Sequence, residues 1–393
     1  MRYECFIGLR YLLGRRKSFF VSLTTLISMA GVAVGVMALI VVIAVMSGFD
    51  TDLKEKIAGT NAHLYIESLE GMTHPEEVMA HLTSVAEITG SSPYIQGQVM
   101  IAKEGAVRGA LLRGIDPERE SSVTRIQSYL EKGSLALKPG EILLGRELAD
   151  TLNVGLGDEL RLISSSKTKG ETFRVGGIFR SGMYDYDLNL AFVPLEDAGR
   201  LFHMEGLVGG IGARVADMYQ VEKIRQKVGS VLGPRYRVTT WIDLNRNLFG
   251  ALALEKTAMF IILSLIVCVA CFNIASSLIM MVMEKTKDIG VLKSIGSTGR
   301  SIQLIFSIQG VFIGLVGTFC GALGGFGLCA FLKRVPFIRL PQDIYYIERL
   351  PVEIQWADSF LIAFAALLIS WLATLYPAWQ ASRLDPVEAL RYE

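Results

Sequence analysis

Cys268 and Cys271 stand at the C-x-x-C spacing with which paired thiolates hold zinc or exchange disulfides, and His63, His74, His81 and His203 are the chain's only histidines. Both cysteines, however, lie inside the charge-free run from Thr257 to Met283, where two small side chains suit helix packing better than redox chemistry. The histidines form neither H-E-x-x-H nor another ligand spacing, so each reads as a surface histidine and no metal site is expected. No G-x-x-x-x-G-K-[ST] loop occurs to cradle a nucleotide phosphate, and no G-x-S-x-G elbow to activate a serine. The chain is therefore expected to be neither an ATPase nor another catalyst. What remains is a charged interruption, "EKTKDIGVLKSIG" from Glu284 to Gly296, between two apolar runs.

Those runs set the frame. Ser18 to Phe49, Thr257 to Met283, Ser301 to Leu332 and Ser359 to Ser382 contain no Asp, Glu, Lys or Arg, and 51% of the 393 residues are hydrophobic. Each run exceeds the roughly 20 residues that cross a hydrocarbon core. Four spans follow. The first, after Arg15, Arg16 and Lys17, is too long for a signal peptide, and "IAVMSGFD" offers no A-x-A cleavage site. The spans hold no charge for an ion or proton relay. Basic residues before the first span, and Lys285, Lys287, Lys293 and Arg300 after the second, place both termini in the cytoplasm. Lys333, Arg334, Arg339 and Arg349 speak against that orientation. A net charge of +1 gives no reason to expect nucleic acid.

Between spans one and two, residues 50–256 read as a soluble domain of mixed α/β pattern. "AHLYIES", "IQGQVMIAK" and "GALLRGID" alternate as strands, and "HPEEVMAHLTSV" opens as a helix with proline and acids. The order recurs near the end, with "GGIGARVAD", the amphipathic "MYQVEKIRQKVGSVLG" and "RYRVTTW". The ends, 50–112 and 206–243, are expected to form one α/β subdomain, with 113–205 a mostly β insertion. Cys5, Cys268, Cys271, Cys320 and Cys329 all lie in or beside apolar runs, so this domain has no disulfide.

No proline interrupts Ser18 to Ile57, and about 40 helical residues span roughly 60 Å, twice the hydrocarbon thickness. This predicts stalk helices beneath the exterior domain, with a break at Gly48 or Gly250 as the alternative. Gly31-x-x-x-Gly35, and Gly310, Gly314, Gly317, Gly321 and Gly325, offer close helix packing, either within the chain or between copies. Met37, Met46 and Met259 suit an adaptable apolar cavity, or simply a core.

The interruption itself has an apolar face in Ile289, Leu292 and Ile295, with Lys285, Lys287 and Lys293 opposite. Its periodicity fits a short surface helix that either anchors to anionic lipid or docks into a partner.

"EKTKDIGVLKSIGSTGRSI", the C-terminal "LYPAWQASRLDPVEALRYE" and the N-terminal "GLRYLLGRRKSFFVSLTTLISMAGVAVGVMALIVVIAVMSGF" closely resemble the LolC/LolE family, the permease subunits of the lipoprotein-releasing ABC transporter. "LGRELADTLNVGLGDELRLI" and "VGGIFRSGMYDYDLNLAFVPLEDAGRLF" extend the resemblance over essentially the whole chain. It implies a membrane protein with four transmembrane helices (18–49, 257–283, 301–332, 359–379) and a large periplasmic α/β domain, a porter-like subdomain plus the β insertion. Residues 1–17, 284–300 and 380–393 would be cytoplasmic and 333–358 periplasmic.

By the same resemblance the coupling helix comprises Glu284, Lys285, Lys287, Asp288, Ile289, Gly290, Leu292, Lys293, Ser294, Ile295 and Gly296, seated on a LolD-like ATPase dimer that binds ATP and Mg. Met37, Met46, Phe49, Leu252, Met259 and Ile262 would line the lipoprotein cavity. Ser165, Ser166, Lys167, Thr168, Lys169 and Gly170 would be the hook for a LolA-like periplasmic chaperone, although this hairpin is short and lacks the proline of the family's hook. The remaining implied partners are a second permease subunit, in a heterodimer or homodimer, and triacylated lipoproteins in the bacterial inner membrane. Related permeases suggest two alternatives, a MacB-type efflux permease and an FtsX-like mechanical signalling protein that controls a cell-wall hydrolase.

Overall fold

The computed structural model describes residues 2–13, 19–164, 170–335 and 351–385. Helix α1 (Arg2–Leu13) precedes α2 (Phe19–Thr60), a single helix of 42 residues. At about 1.5 Å per residue, α2 is roughly 63 Å long. It runs straight through Gly48, where the glycine serves a close approach: an added Cβ would overlap the carbonyl oxygen of Pro351, and the Glu353 amide donates to Ala44 O at 2.9 Å.

After α2 come β1 (Leu64–Met72), α3 (Pro75–Leu82), β2 (Ile88–Lys103), β3 (Ala106–Ile115), α4 (Pro117–Val123), β4 (Leu130–Gly133) and β5 (Glu141–Gly145). They are followed by α5 (Arg146–Leu152), β6 (Glu159–Ser164), β7 (Glu171–Phe179), α6 (Tyr184–Asn189), β8 (Leu190–Pro194) and α7 (Leu195–Phe202). Then come β9 (Val208–Val215), α8 (Val221–Leu232), β10 (Tyr236–Thr240) and α9 (Trp241–Leu244). The chain ends in α10 (Arg246–Glu284), α11 (Thr286–Ser294), α12 (Gly299–Arg334) and α13 (Trp356–Arg383).

Local chemistry sets several of these boundaries. Pro75 opens α3 with Glu76 and Glu77 in its first turn, where the helix dipole favours negative charge. Thr240 and Asp243 close a reciprocal capping box on α9. Helix α8 stops at Gly233, whose φ of +75° a side chain would resist.

The described chain falls into two compact units, one of long apolar helices and one built on the sheet; the division passes within α2 and α10. In the sheet unit the strand order is β10-β1-β9-β2-β3-β8-β5-β7-β4, with β6 pairing β2 and β7. Strand β1 lies between β10 and β9, so the two ends of the inserted segment are neighbours. The residues expected to form a separate insertion share the same sheet. Strand β2, 16 residues long, pairs β9 along its first half and β6 along its second, and β3 joins β8 in parallel. The cores do not follow the expected division: one cluster joins Ile101 of β2 to Leu144, Leu162 and Phe173 of the expected insertion, and another, with Ile126, Leu143, Phe179 and Phe192, lies within the insertion.

In the helical unit, α2, α12 and α13 are long and apolar enough to cross a membrane. A fourth span arises if residues 268–284 of α10 are counted with α11, to which they are bent by 63°. The glycines of α12 pack within the chain. A Cβ at Gly310 would overlap Thr374 and one at Gly314 would overlap Ser370, both on α13, while Gly317, Gly321 and Gly325 face Val32, Val36 and Ile40 of α2.

His63 departs from the surface role expected of it. It is 5% exposed, between α2 and β1, and its Nδ1 accepts the Val215 amide at 3.3 Å. Burial first, then Arg214, pushes its pKa down to about 4. An unfolded histidine titrates near 6.5, so the stability this site contributes is fully present above that pH and is lost as pH falls toward 4. The loss is on the order of 1–3 kcal/mol. Melting of the purified protein between about pH 7.5 and about pH 5 should therefore show a falling Tm that His63→Gln flattens, since the amide oxygen can still accept from Val215. Parallel pH profiles for the two proteins would rule this out.

Candidate functional site

The charged interruption folds as α11, and its two faces do different things. Helix α10 continues through Glu284, Lys285 sits at the N-cap of α11, and Gly296, at φ +103°, ends the turn before α12. Ile289 is fully buried with Met281, Val282, Ile302, Phe306, Ala378 and Ala381, and Leu292 and Tyr11 pack at the margin. This inner face binds α11 to α10, α12, α13 and α1.

Lys293 belongs to that inner face. Its Nζ donates to the carbonyl oxygens of Ser382 and Leu384, both at 2.7 Å. These are the last carbonyls of α13, where a cation satisfies orphan acceptors and the negative end of the dipole. The helical wheel placed Lys293 on the outer side; the structure turns it inward. Lys285 ion-pairs with Asp288 at 3.2 Å and lies 5.1 Å from the ring centre of Tyr11. Burial, then the Asp288 carboxylate, pushes the Tyr11 phenol up to about 12.

The outer face carries Glu284, Lys287, Val291, Ser294 and Ile295, all exposed. Ile295, expected on the buried side, is 79% exposed. Val291 was not singled out from sequence, although the spacing 287–291–295 marks one helical stripe. An exposed Val and Ile, flanked by Lys287 and Glu284, form an apolar centre with a charged rim.

A second constellation lies in the sheet unit, at the end of α2. Arg113 is 5% exposed, and its guanidinium donates to Tyr65 Oη at 3.1 Å and to Gln96 Oε1 at 2.9 Å. It stacks near the Tyr65 and Tyr94 rings, 5.6 and 5.9 Å from their centres. Tyr65 Oη donates to Asn61 Oδ1, and Asn61 Nδ2 donates to Tyr186 Oη at 2.9 Å. Tyr94 Oη donates to Glu67 at 2.8 Å. Asn61 follows the last residue of α2, so this network keys the helix end into both parts of the sheet. No single motif in the sequence announces it.

The other expected sites are less complete. Met37 Sδ lies 3.1 Å from where a Cβ on Gly324 would stand. Met46, Phe49 and Met259 are half-buried, Leu252 is buried, and Ile262 lies on an exposed row of α10 with Phe260, Ile261 and Leu265. Ser165 to Lys169 lie outside the described residues; Gly170 packs on Arg161 where β6 and β7 pair. Among the described residues no group of His, Cys, Asp or Glu is arranged to hold a metal ion.

Residues 25–231 match the MacB-like periplasmic core domain, and residues 259–386 match the FtsX-like permease C-terminal domain. The chain is 36% identical to the lipoprotein-releasing system transmembrane protein LolC of Xylella fastidiosa strain Temecula1, over 98% of each chain. It belongs to the LolC/LolE family. Within Haemophilus influenzae it is 28% identical to LolE and equally to LolC, each over at least 98% of both chains. Identity thus separates it little from either branch of the LolC/LolE family.

The inward role of Lys293 can be tested in this LolC/LolE member. Lys293→Met keeps the aliphatic stem and removes two charge-assisted hydrogen bonds, at a cost of roughly 1–3 kcal/mol. Hydrogen exchange should then accelerate in residues 378–385 at the end of α13. Exchange as slow as in the wild type would mean that the contact holds nothing.

Proposed function

We propose that this chain is a permease subunit that extracts outer-membrane-destined lipoproteins from the bacterial inner membrane and passes them to a periplasmic chaperone. The observation that carries the reading is the end-to-end identity to LolC, spanning both the periplasmic domain and the permease domain. Four spans, with both termini cytoplasmic and the sheet unit periplasmic as a porter-like subdomain and its insertion, complete the arrangement. ATP and Mg are bound by a separate LolD-like ATPase dimer, and α11 is the element that meets it. The outer stripe of α11, Lys287, Val291, Ser294 and Ile295, is the docking face, because the inner face is already committed. Chaperone recruitment falls to the β6–β7 hairpin, and a second permease chain, of the same or the partner kind, completes the transporter.

The energetics require an ATP-driven machine. Drawing three acyl chains from a bilayer, at about 0.8 kcal/mol per methylene, costs on the order of 30 kcal/mol. Depletion of the protein in its host, with fractionation of the two membranes, should leave mature lipoprotein in the inner membrane. Normal sorting in a host without a paralogue would overturn the reading. Separately, Val291→Asp with Ile295→Asp should abolish co-purification of the ATPase and leave the melting temperature unchanged; retained ATPase would move the docking face elsewhere.

A further inference from the structure

A cavity of about 240 Å³ opens in the sheet unit beside the last turns of α2, lined by Glu55, Ala58, Gly59, His63, Arg125 and Arg214, together with the 215–219 turn. Arg125 and Arg214 come from different parts of the chain, the segment after α4 and the end of β9. Backbone bonds fix both to the same place: the Arg125 amide donates to Gly59 O at 2.7 Å, and the His63 amide donates to Ala213 O at 2.9 Å. Among the described residues neither guanidinium has a carboxylate within ion-pair distance. The Tyr129 hydroxyl lies against Gly59, whose absent Cβ would overlap it and would stand 3.6 Å from Arg125 Cδ. That hydroxyl makes no hydrogen bond among the described residues.

Arg125 and Arg214 line the same cavity. Both act on buried His63 and both oppose the upward push that burial gives the Tyr129 phenol. His63 itself is committed, with Nδ1 accepting from Val215. Asp217 is committed too, accepting from the Tyr219 amide at 3.0 Å and from Gln220 Nε2 at 2.9 Å. Arg125 and Arg214 thus line the cavity as donors, the Tyr129 hydroxyl lies beside the lining residue Gly59, and the Glu55 carboxylate is part of the lining.

We propose that Arg125, Arg214 and Tyr129 form a binding site for a tetrahedral phosphate group beside the last turns of α2, the two guanidiniums supplying the positive charge that a helix C-terminus does not. Guanidinium forks match phosphate oxygens in geometry as well as charge, and two forks with a hydroxyl meet three of the oxygens. Glu55 sets which phosphate is taken. It repels a bare dianion and favours a phosphate that carries an ammonium nearby, as the phosphoethanolamine headgroup of a lipid does. A bound phosphate would bridge α2 to β9 through Arg214 and to the α4–β4 connection through Arg125.

The test is calorimetric titration of the full-length protein, in a phosphate-free non-ionic detergent, with inorganic phosphate and with glycerophosphoethanolamine. Saturable binding is expected, weakened about tenfold by Arg125→Ala or Arg214→Ala and several-fold by Tyr129→Phe, which removes one oxygen atom only. If the site serves a lipid headgroup, glycerophosphoethanolamine binds more tightly and Glu55→Gln erases its advantage. If it serves the free anion, Glu55→Gln strengthens inorganic phosphate and no preference for the amine exists. Absence of binding by either ligand, or binding unchanged in the Arg125→Ala/Arg214→Ala double variant, would overturn the proposal.

Discussion

A guanidinium buried in a protein interior needs hydrogen-bond partners, and Arg113 draws its partners from two strands of the sheet unit. Its partners are drawn from β1 (Tyr65), β2 (Gln96 and Tyr94) and, through Asn61, from the end of α2. The carboxyl of Glu120, raised by burial and lowered by Arg113, sits in the same electrostatic neighbourhood. Removing one member of such a network leaves the others buried and unpaired, which costs more than the pair contributed. The helix end is thereby fixed by polar geometry rather than by apolar contact alone, and polar geometry admits one register.

The helical unit solves a different problem with different means. Inside lipid there is no hydrophobic drive to bring helices together, so close backbone packing must do it. Helix α12 is built for that: Gly310 and Gly314 admit Thr374 and Ser370 of α13, and Gly317, Gly321 and Gly325 admit three aliphatic side chains of α2. Gly31, which would bring a Cβ to 3.1 Å from Asn273, plays the same part between α2 and α10. The spacing in the sequence revealed that these faces are small; it left open whether their partners lie in the same chain or in another. The structure assigns the α12 glycines to partners within the chain.

Legibility in the sequence followed the range of the interactions. Strands β1 and β10, helix α8 and its stop at Gly233, and the continuity of α2 depend on periodicity, on turn residues and on the absence of proline, all of which are local. The single sheet was not legible, because it rests on the long strand β2 and the parallel pair β3–β8, whose partners lie far apart in sequence. His63 read as a surface residue because nothing adjacent to it signals burial; the burial comes from β9 folding over it. On α11 the helical wheel found Ile289 and misplaced Ile295 and Lys293. A nine-residue helix has too few turns to fix its phase from apolar residues alone, and here the phase is set by the bend after α10 and by the carbonyls at the end of α13.

The two faces of α11 together say what this element can transmit. A surface helix held only by lipid or by exposed ion pairs would yield under load, since exposed pairs contribute at most about 1 kcal/mol. Helix α11 is instead seated by a buried Ile289 and by Lys293 bonded to main-chain carbonyls, which cannot rotate away as side chains can. If the ATPase docks on Val291 and Ile295 as proposed, its push would pass to α12 and α13 through these contacts. Extraction of three acyl chains, on the order of 30 kcal/mol, would favour such a path, because work lost in a compliant joint never reaches the lipid.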